Sequence, residues 1–334
     1  MKVVFYAPNF HPMIGGVENI VKGLATALTG LGHSVRVLTL AKQTEPDQFP
    51  FAVVRDATSL KSIRHIWWAD IVVHVNLSLK GVLPLLAIRR PLVDYHNGLY
   101  PTTTIAGQLK WLVTRTMSVN VGCSPYISGL YSCKHTIPNP YNDALFQRLD
   151  GVAQTGELLF VGRLVSEKGV DVLIRALHQL KLAHGSTPLL TIVGDGPERP
   201  SLLALSVELG VDRQLIFEGP QTGETVVRAM NRHSILVVPS NYNEPFGAVA
   251  VEGIACGCFV ISSDGGGLPD TVGSCGITFE KGNHLALADA LWLALCNSAW
   301  RETHQLEAHA HLRRHTLSAV TDQFLHVFTE EING

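Results

Sequence analysis

The sequence lacks the features of several protein classes. It contains no apolar run near the roughly 18 residues that a membrane-spanning helix requires. Its start, Met1–Pro8, has neither the long apolar stretch nor the cleavage site of a signal peptide. Only 16% of the 334 residues are charged and 46% are hydrophobic, so the chain is not intrinsically disordered. At about 150 residues per domain, this length predicts two globular domains.

Motifs for metals, disulfides and dinucleotides are also missing. The six cysteines have neither the paired spacing of a zinc site nor the density of a disulfide scaffold, and we expect buried free thiols in a cytoplasmic protein. The fifteen histidines include no His-Glu-x-x-His motif. No Gly-x-Gly-x-x-Gly follows the first predicted strand, which disfavours an NAD-linked oxidoreductase.

The formal net charge of -2 combines two halves of opposite sign. Residues 1–150 contain 14 Lys and Arg against 8 Asp and Glu, a balance of +6. Residues 151–334 contain 12 against 20, a balance of -8. This asymmetry predicts different partners for the two halves, and the near-neutral total argues against a general nucleic-acid-binding protein.

Short apolar segments alternate with amphipathic helical segments, which predicts an α/β protein with doubly wound parallel sheets. The turn-rich segment Ile137–Gly156 interrupts this alternation and predicts a boundary between a domain at 1–150 and a second at 151–316. Two Rossmann-like domains in tandem would bind ligands outside the carboxyl ends of their strands, in a cleft between them. The predicted strands are Val3–Ala7, Ser34–Leu40, Asp70–Val75, Pro91–Tyr95, Asn120–Cys123, Leu158–Val161, Leu189–Val193, Gln214–Phe217, Ile235–Val238 and Phe259–Ser262.

Three clusters at predicted strand ends could contact an anion. Gly15 and Gly16 precede the first helix, where backbone amides can approach a phosphate, although a plain turn is the alternative. Arg163 and Lys168 follow the first strand of the second domain, where two cations can neutralise a diphosphate or form only a solvated surface pair. A glycine-rich turn begins at Gly194, and its signal alone is weak.

A fourth cluster, Pro239–Gly257, is the most specific. Glu244 lies in a polar loop after a strand, and a helix is predicted to begin near Phe246. Glu252 lies two turns into that helix among apolar residues, where a carboxylate needs a partner. Ribose hydroxyls could supply that partner, and a structural salt bridge is the alternative. The amides at the helix start, which could bind an anion, are those of Phe246, Gly247 and Ala248.

Together these motifs make the whole chain similar to bacterial retaining glycosyltransferases of family 4, which have the GT-B fold. The resemblance implies an N-terminal acceptor domain and a C-terminal donor domain. It also implies that the last helix, predicted at Leu317–Ile332, crosses back to the N-terminal domain. The matching segments are Gly15–Glu18, Gly162–Gly169, Gly194–Glu198, and Glu244 and Glu252 with seven residues between them.

The resemblance also implies residue roles. Arg163 and Lys168 would bind the donor diphosphate, and Glu252 would bind the ribose. Glu244 and the amides of residues 246–248 would hold the sugar hydroxyls, with Gly194 also on the donor side. Gly16 would lie against the phosphates or the acceptor.

His96 matches the histidine that such enzymes place beside the donor sugar, and an ordinary loop histidine is the alternative. Two departures from the family pattern are Asp270, where many relatives have Glu, and Asn139–Asn142, where Asn-Gly is common. The first of these makes sugar contacts near Gly265–Gly267 less certain.

The implied reaction transfers a hexosyl group, with retention, from a nucleotide sugar to a glycan or lipid-linked saccharide of the cell envelope. UDP is favoured as the nucleotide. No Asp-x-Asp occurs, which indicates a metal-independent reaction in which Arg163 and Lys168 replace a divalent ion, so no cofactor is expected. The alternatives are a GDP-mannose-dependent mannosyltransferase, a GT-B sugar-nucleotide epimerase or phosphorylase, and a non-catalytic partner subunit.

Several basic segments of the first half also contain aromatic or aliphatic residues. Related enzymes with lipid-linked acceptors dock such a face onto anionic membrane. Two interpretations stay open: peripheral binding to the inner face of the cytoplasmic membrane, or solvated helix faces in a cytoplasmic protein. The segments are Lys61–Trp68, Arg89–Arg90 and Lys110–Arg115.

Overall fold

The computed structural model describes residues 1–13, 15–43, 46–100 and 103–334. These residues form two compact units: unit 1 comprises 1–140 together with 316–334, and unit 2 comprises 141–315. Each unit is built on a parallel sheet accompanied by helices, so the predicted α/β class with two Rossmann-like halves is confirmed. Among the described residues, no helix is both long and apolar enough to cross a membrane.

The strands of unit 1 are β1 (Lys2–Tyr6), β2 (Ser34–Leu38), β3 (Ala52–Val54), β4 (Ile71–Val75), β5 (Leu92–His96), β6 (Val119–Gly122) and β7 (His135–Thr136). In the described part of this unit they form one parallel sheet in the order β3-β2-β1-β4-β5-β6-β7. β4 and β5 are buried along their whole length, as the central strands of a parallel sheet covered on both faces should be. The helices are α1 (Gly16–Gly30), α2 (Ser59–Trp68), α3 (Leu79–Val82), α4 (Ile105–Thr116), α5 (Pro125–Tyr131) and, from the end of the chain, α14 (Leu317–Asn333), with a 3₁₀ turn at Leu83–Leu86.

The strands of unit 2 are β8 (Gly156–Val161), β9 (Leu190–Val193), β10 (Leu215–Gly219), β11 (His233–Val238), β12 (Phe259–Ser263) and β13 (Gly276–Phe279). Unit 2 is described throughout, and its parallel sheet has the order β10-β9-β8-β11-β12-β13. The helices are α6 (Val170–His184), α7 (Arg199–Glu208), α8 (Glu224–Arg232), α9 (Ala248–Ala255), α10 (Leu268–Val272), α11 (His284–Cys296), α12 (Ser298–Leu306) and α13 (Ala308–Arg313), with 3₁₀ turns at Ser166–Lys168, Asp212–Gln214 and Gly273–Cys275.

Three strands were not predicted: β3, β7 and β13. Each has four residues or fewer and lies at a sheet edge, with a neighbour on one side only. Such short strands give little periodic signal, because their burial depends on one neighbouring strand.

The division between the units falls ten residues before the predicted boundary at 150. Residues 141–150 belong to unit 2 because Leu145, Phe146 and Leu149 pack against its core. Tyr141 N also donates to the His315 carbonyl oxygen at 3.1 Å. A turn-rich composition located the connecting segment, but the unit on which it packs depends on these distant partners.

α14 belongs to unit 1, as the resemblance implied for the last helix. The Leu317 side chain lies over Gly23 of α1. Phe324 meets Tyr95 of β5 edge-on, with ring centroids 4.9 Å apart. The end of the chain is therefore part of the core of unit 1.

Candidate active site

The loops that follow β8 and β11 lie side by side at the carboxyl edge of the unit 2 sheet. The two strands are parallel neighbours, so their loops leave the sheet together. Asn241 N donates to the Glu167 carbonyl oxygen at 2.9 Å and joins the loops directly. Gly169 has φ +67, and a Cβ there would overlap the Pro239 carbonyl oxygen. Only glycine therefore allows the loops to approach so closely.

This approach brings Lys168 and Glu244 together, although they are 76 positions apart in the chain. Lys168 Nζ donates to Glu244 Oε1 at 2.6 Å, and Ser240 Oγ donates to the same oxygen at 2.9 Å. The Glu244 side chain is buried, and a buried carboxylate is costly unless it is paired. Its Oε2 accepts no hydrogen bond from the described residues. One carboxylate oxygen is therefore available to a ligand hydroxyl.

A third loop fixes the backbone of Glu244. Glu244 forms a parallel β-bridge with Gly266, and Gly267 N donates to the Glu244 carbonyl oxygen at 2.7 Å. These glycines follow β12, the neighbour of β11 on the side away from β8. Three consecutive strand ends thus position the Lys168–Glu244 pair.

Gly194 follows β9, on the other side of β8. A Cβ at this position would overlap the Gly162 carbonyl oxygen. Gly194 N donates to the Gly219 carbonyl oxygen at 2.8 Å, which ties the turn to the end of β10. Loop packing alone therefore explains why residue 194 is a glycine. Contact of Gly194 with a donor stays a prediction.

Arg163 lies in the same loop as Lys168, and its side chain is exposed. This side chain makes no hydrogen bond or ion pair with the part of the chain that the structure describes. A free guanidinium and a lysine after the same strand can contact two phosphates of one ligand. The structure thus brings the two predicted cations to one strand end, and their contact with a diphosphate stays a prediction.

Glu252 lies on α9, where Val251, Gly253 and Ile254 are buried. The side chain is partly buried and pairs with no residue that the structure describes, and burial raises the pKa of its carboxyl to about 7. A structural salt bridge, the alternative interpretation of Glu252, is therefore not seen among the described residues. A ligand hydroxyl could satisfy this carboxyl, so the predicted ribose contact remains a hypothesis.

The predicted helix start near Phe246 is wrong by two residues. α9 begins at Ala248, and Gly247 precedes it. The Phe246 side chain is buried, and its carbonyl oxygen accepts a hydrogen bond from Thr271 Oγ1 at 2.6 Å. The amides of Gly247 and Ala248 are the ones at the helix N-terminus, where the helix dipole favours an electronegative ligand atom.

In unit 1, Gly15 caps α1 and Gly16 is its first residue. The Glu18 side chain folds back against Gly15, whereas the side-chain position of Gly16 has no atom within 4 Å. Of the two predicted glycines, Gly16 therefore has the more open approach. Its contact with a ligand stays a prediction.

His96 ends β5, and its side chain is fully buried. The ring stacks on Tyr131 with centroids 4.2 Å apart, and Nε2 lies 3.1 Å from Asn120 Oδ1. Asp94 Oδ2 lies 3.5 Å from the same nitrogen. Burial lowers the pKa of His96 to about 4, so the imidazole is neutral near pH 7. As it lies, His96 is a packed residue of unit 1, and its role beside a donor sugar stays a prediction.

The comparison with protein families shows the family to which the chain belongs. The family described as Glycosyl transferases group 1 matches residues 144–311, which are half of the chain. The chain belongs to the group 1 glycosyltransferases. The matched range contains the Lys168–Glu244 pair and the loops that hold it.

Individual relatives agree with this membership. A D-inositol 3-phosphate glycosyltransferase of Corynebacterium efficiens is 34% identical over 178 residues, or 51% of this chain and 42% of that protein. A glycogen synthase of Mycobacterium tuberculosis is 27% identical over 357 aligned positions, or 87% of this chain and 85% of that protein. The matches to the first curated relatives span only 32% to 42% of their lengths.

The solved structure of Anabaena HepE in complex with UDP and glucose is similar over 99% of this chain and 100% of that one. Its TM-score is 0.80 and the sequence identity is 20%. A likeness at this identity establishes the fold, and the GT-B fold predicted from the sequence is confirmed.

Two residues of the candidate site were not singled out from the sequence. Ser240 lies in the motif around Glu244, and only the structure shows its hydroxyl on the carboxylate. Lys281 follows the unpredicted strand β13, and its Nζ donates to Asn243 Oδ1 at 2.5 Å. Its own amide donates to Asp264 Oδ1 at 2.9 Å. No sequence signal indicated that Lys281 reaches the loop of Glu244.

Proposed function

We propose that this glycosyltransferase moves a hexosyl group from a UDP-sugar to a glycan or lipid-linked saccharide, with retention of the anomeric configuration. The observation that carries the proposal is the Lys168–Glu244 pair at the carboxyl edge of the unit 2 sheet. Support for UDP comes from HepE, which was solved with UDP and glucose. GDP-mannose is the alternative donor.

Stabilisation of the leaving group explains the need for two cations. Cleavage of the bond between the anomeric carbon and the phosphate oxygen leaves a nucleoside diphosphate, on which negative charge develops. Lys168 and Arg163, both after β8, would contact that charge. We propose that transfer therefore requires no divalent metal and no cofactor.

The carboxylates would orient the donor. Glu244 Oε2 would accept a hydrogen bond from a sugar hydroxyl while Oε1 stays bound to Lys168 and Ser240. Glu252 would accept from the ribose, and the amides of Gly247 and Ala248 would donate to sugar oxygens. The acceptor oxygen would bond to the anomeric carbon on the face that the diphosphate leaves, and a phosphate oxygen would take its proton.

Unit 1 would contribute two groups to ligand binding: the His96 ring and the backbone amides at the start of α1. Because burial keeps His96 neutral, the ring would act on the donor sugar as a hydrogen-bonding group and not as a cation. The Gly15–Gly16 amides would contact the phosphates or the acceptor.

Alanine substitutions of the pair test the proposal. Lys168→Ala and Glu244→Ala should each lower transfer by at least about 100-fold, because each removes a charged contact of the reacting ligand. Lys181→Ala is the matched control. Lys181 lies near the C-terminal end of α6, and its ammonium donates to the carbonyl oxygen of Gly210, which follows α7. Transfer is measured as saccharide product from UDP-glucose, with thermal unfolding as the check of folding. Near-normal transfer by both site variants would overturn the assignment.

Nucleotide selectivity is tested by thermal unfolding with UDP, GDP and ADP sugars. Only the nucleotide that binds the folded chain should raise the melting temperature. A rise with GDP-mannose alone would replace the UDP proposal by the mannosyltransferase. Products formed without any acceptor would instead indicate an epimerase, and the absence of any turnover would indicate a non-catalytic subunit.

We further propose that unit 1 binds an anionic membrane surface through α2, the 3₁₀ turn after α3, and α4. These segments expose large apolar side chains beside cations, which suits an interface of lipid tails and anionic headgroups. Trp67 is 69% exposed, and Arg90 donates to its carbonyl oxygen at 2.7 Å. The exposed apolar side chains are Leu60, Ile63, Trp67, Leu83, Leu86, Ile105, Leu109, Trp111 and Leu112.

One predicted cation, Lys110, is only partly exposed. Lys110 Nζ lies 4.8 Å from the Tyr100 ring centroid, where it makes a cation–π contact within unit 1. Arg115 lies 4.1 Å from the Trp111 ring centroid and stays exposed. Trp111 and Arg115 are therefore both available at the surface.

Cosedimentation with lipid vesicles at low salt tests the membrane proposal. Recovery should be higher with anionic than with neutral vesicles, and Trp67→Ser should reduce it. Leu306→Ser is the control, because Leu306 is 81% exposed in unit 2. Equal recovery with both vesicle types would reject the proposal. We propose a cytoplasmic location, where the six free cysteines would stay reduced.

A further inference from the structure

A group of histidines and glutamates joins the edge strand of the unit 1 sheet to the last helix. His135 lies in β7, and His326, Glu330 and Glu331 lie on α14. We call these four residues the β7–α14 cluster. None of them belongs to the proposed donor site, whose cations and carboxylates are all in unit 2.

The distances between His135, Glu330 and Glu331 match those between ligands of one small ion, and His326 lies against Glu330 beside these three residues. His326 Nε2 lies 3.2 Å from Glu330 Oε1, and His135 Nε2 lies 3.7 Å from Glu330 Oε2. Ligand atoms of His135, Glu330 and Glu331 all lie within 4.8 Å of one another. Two ligands about 2.1 Å from a tetrahedral zinc ion are separated by roughly 3.4 Å, so His135, Glu330 and Glu331 need only small shifts. The exposed His326 ring would turn towards them as the fourth ligand.

His135 supplies a second, independent observation. Its Nε2 atom is shielded from solvent and has no hydrogen-bond partner among the described residues, although it faces the Glu330 carboxylate. A shielded ring nitrogen without a partner is costly, and a bound ion would satisfy it.

The kind of donor atoms indicates the kind of ion. Two imidazole nitrogens with two carboxylates are typical ligands of zinc, whereas magnesium and calcium prefer oxygen alone. A cavity of about 520 Å³ beside the cluster, lined in part by His135, His326 and Asp322, gives an ion access to it.

Lys134 competes with such an ion for the carboxylates. Its Nζ lies 3.0 Å from Glu331 Oε1 and 3.4 Å from Glu330 Oε2. The lysine side chain is 58% exposed and flexible, so it can move aside, and an exposed ion pair of this kind is weak. A divalent ion with two nitrogen ligands would therefore displace it.

We propose that the β7–α14 cluster binds one zinc ion, which links the edge strand of unit 1 to the end of the chain. The ion would hold α14 against β7 through residues almost 200 positions apart. This site is distinct from catalysis and does not depend on the proposed transfer reaction.

Titration with zinc alone tests the proposal, by displacement from a chromophoric chelator of micromolar affinity. The full chain should bind one equivalent and should unfold at a higher temperature with zinc. Magnesium should have neither effect. His326→Ala and His135→Ala should each weaken binding at least about tenfold, because each removes a ligand. His326 is exposed, so that variant is not expected to disturb folding.

Lys134→Ala gives a prediction of opposite sign. Removal of the competing cation should tighten zinc binding by roughly two- to fivefold. His309→Ala, at an exposed histidine of unit 2, is the matched control and should bind as the unaltered chain does. No competition with the chelator, equal binding after His135→Ala and His326→Ala, or no gain after Lys134→Ala would each overturn the proposal.

Discussion

The raised pKa of Glu252 makes the stability of unit 2 depend on pH in a direction that can be predicted. Burial alone raises this pKa from 4.5 to about 7. Below pH 4.5 the carboxyl is protonated in both the folded and the unfolded chain. As the pH rises from there towards 7, the unfolded chain ionises first, so stability is lost.

The size of the effect follows from the two pKa values. Each pKa unit corresponds to about 1.4 kcal/mol, so the ionised carboxyl costs up to about 3 kcal/mol above pH 7. Glutamine has nearly the same shape and does not ionise. Glu252→Gln should therefore gain roughly 2.5 kcal/mol relative to the unaltered chain between pH 5 and pH 8.

Urea unfolding of both chains at pH 5 and pH 8 measures this difference. Tryptophan fluorescence follows the unfolding of the whole chain, and Trp292 and Trp300 contribute the signal of unit 2. Glu208→Gln, at an exposed position on α7, is the control. Its free energy of unfolding should differ from that of the unaltered chain by the same amount at pH 5 and pH 8. A Glu252→Gln difference that is the same at both pH values would refute the argument that burial controls this carboxyl. If Glu252 also accepts ribose hydroxyls, the same variant should bind UDP more weakly.

Other substitutions test the packing around the site and in unit 1. Gly169→Ala should destabilise the chain by about 3 kcal/mol, because it combines φ +67 with overlap on the Pro239 carbonyl oxygen. Gly129→Ala is its control, since that helical glycine has open space and should gain up to about 1 kcal/mol. Tyr95→Phe should cost about 1–3 kcal/mol, because the buried hydroxyl donates to Asn139 Oδ1 at 2.6 Å. Urea unfolding measures all three, and a Gly169→Ala chain as stable as the Gly129→Ala chain would contradict the close approach.

The sequence predicted ten of the strands, and most of these have an apolar segment that is buried over most of its length. β4 and β5, for example, are buried at every residue. It did not predict β7, whose two residues form a strand only beside β6. The side chains of His135 and Glu330 meet across that unpredicted strand and α14, so the cluster they form could not be inferred from spacing.

Most residues of the candidate site could be predicted from the sequence, but the side chains that contact them could not. Motifs after predicted strands supplied Lys168 and Glu244, and a resemblance to a family supplied their roles. The structure shows their direct contact through Oε1. The burial of His96 depends on Tyr131 and Asn120, which no local pattern connects to it. The two-residue shift at Phe246 has a similar cause, because its side chain packs inward and Thr271 binds its carbonyl oxygen.

The glycines of the site show how packing and ligand binding are related. In the sequence, Gly169 ends the motif that contains Lys168, and Gly194 begins a glycine-rich turn of a kind that lets a ligand approach the backbone. In the structure, each is required because a neighbouring carbonyl oxygen occupies the place of a side chain, from Pro239 and Gly162 respectively. Close packing of these loops is what brings Lys168 from one strand end to Glu244 on the next. The glycines after these strands are therefore required first for loop packing. This packing places the Lys168–Glu244 pair, which could bind a donor.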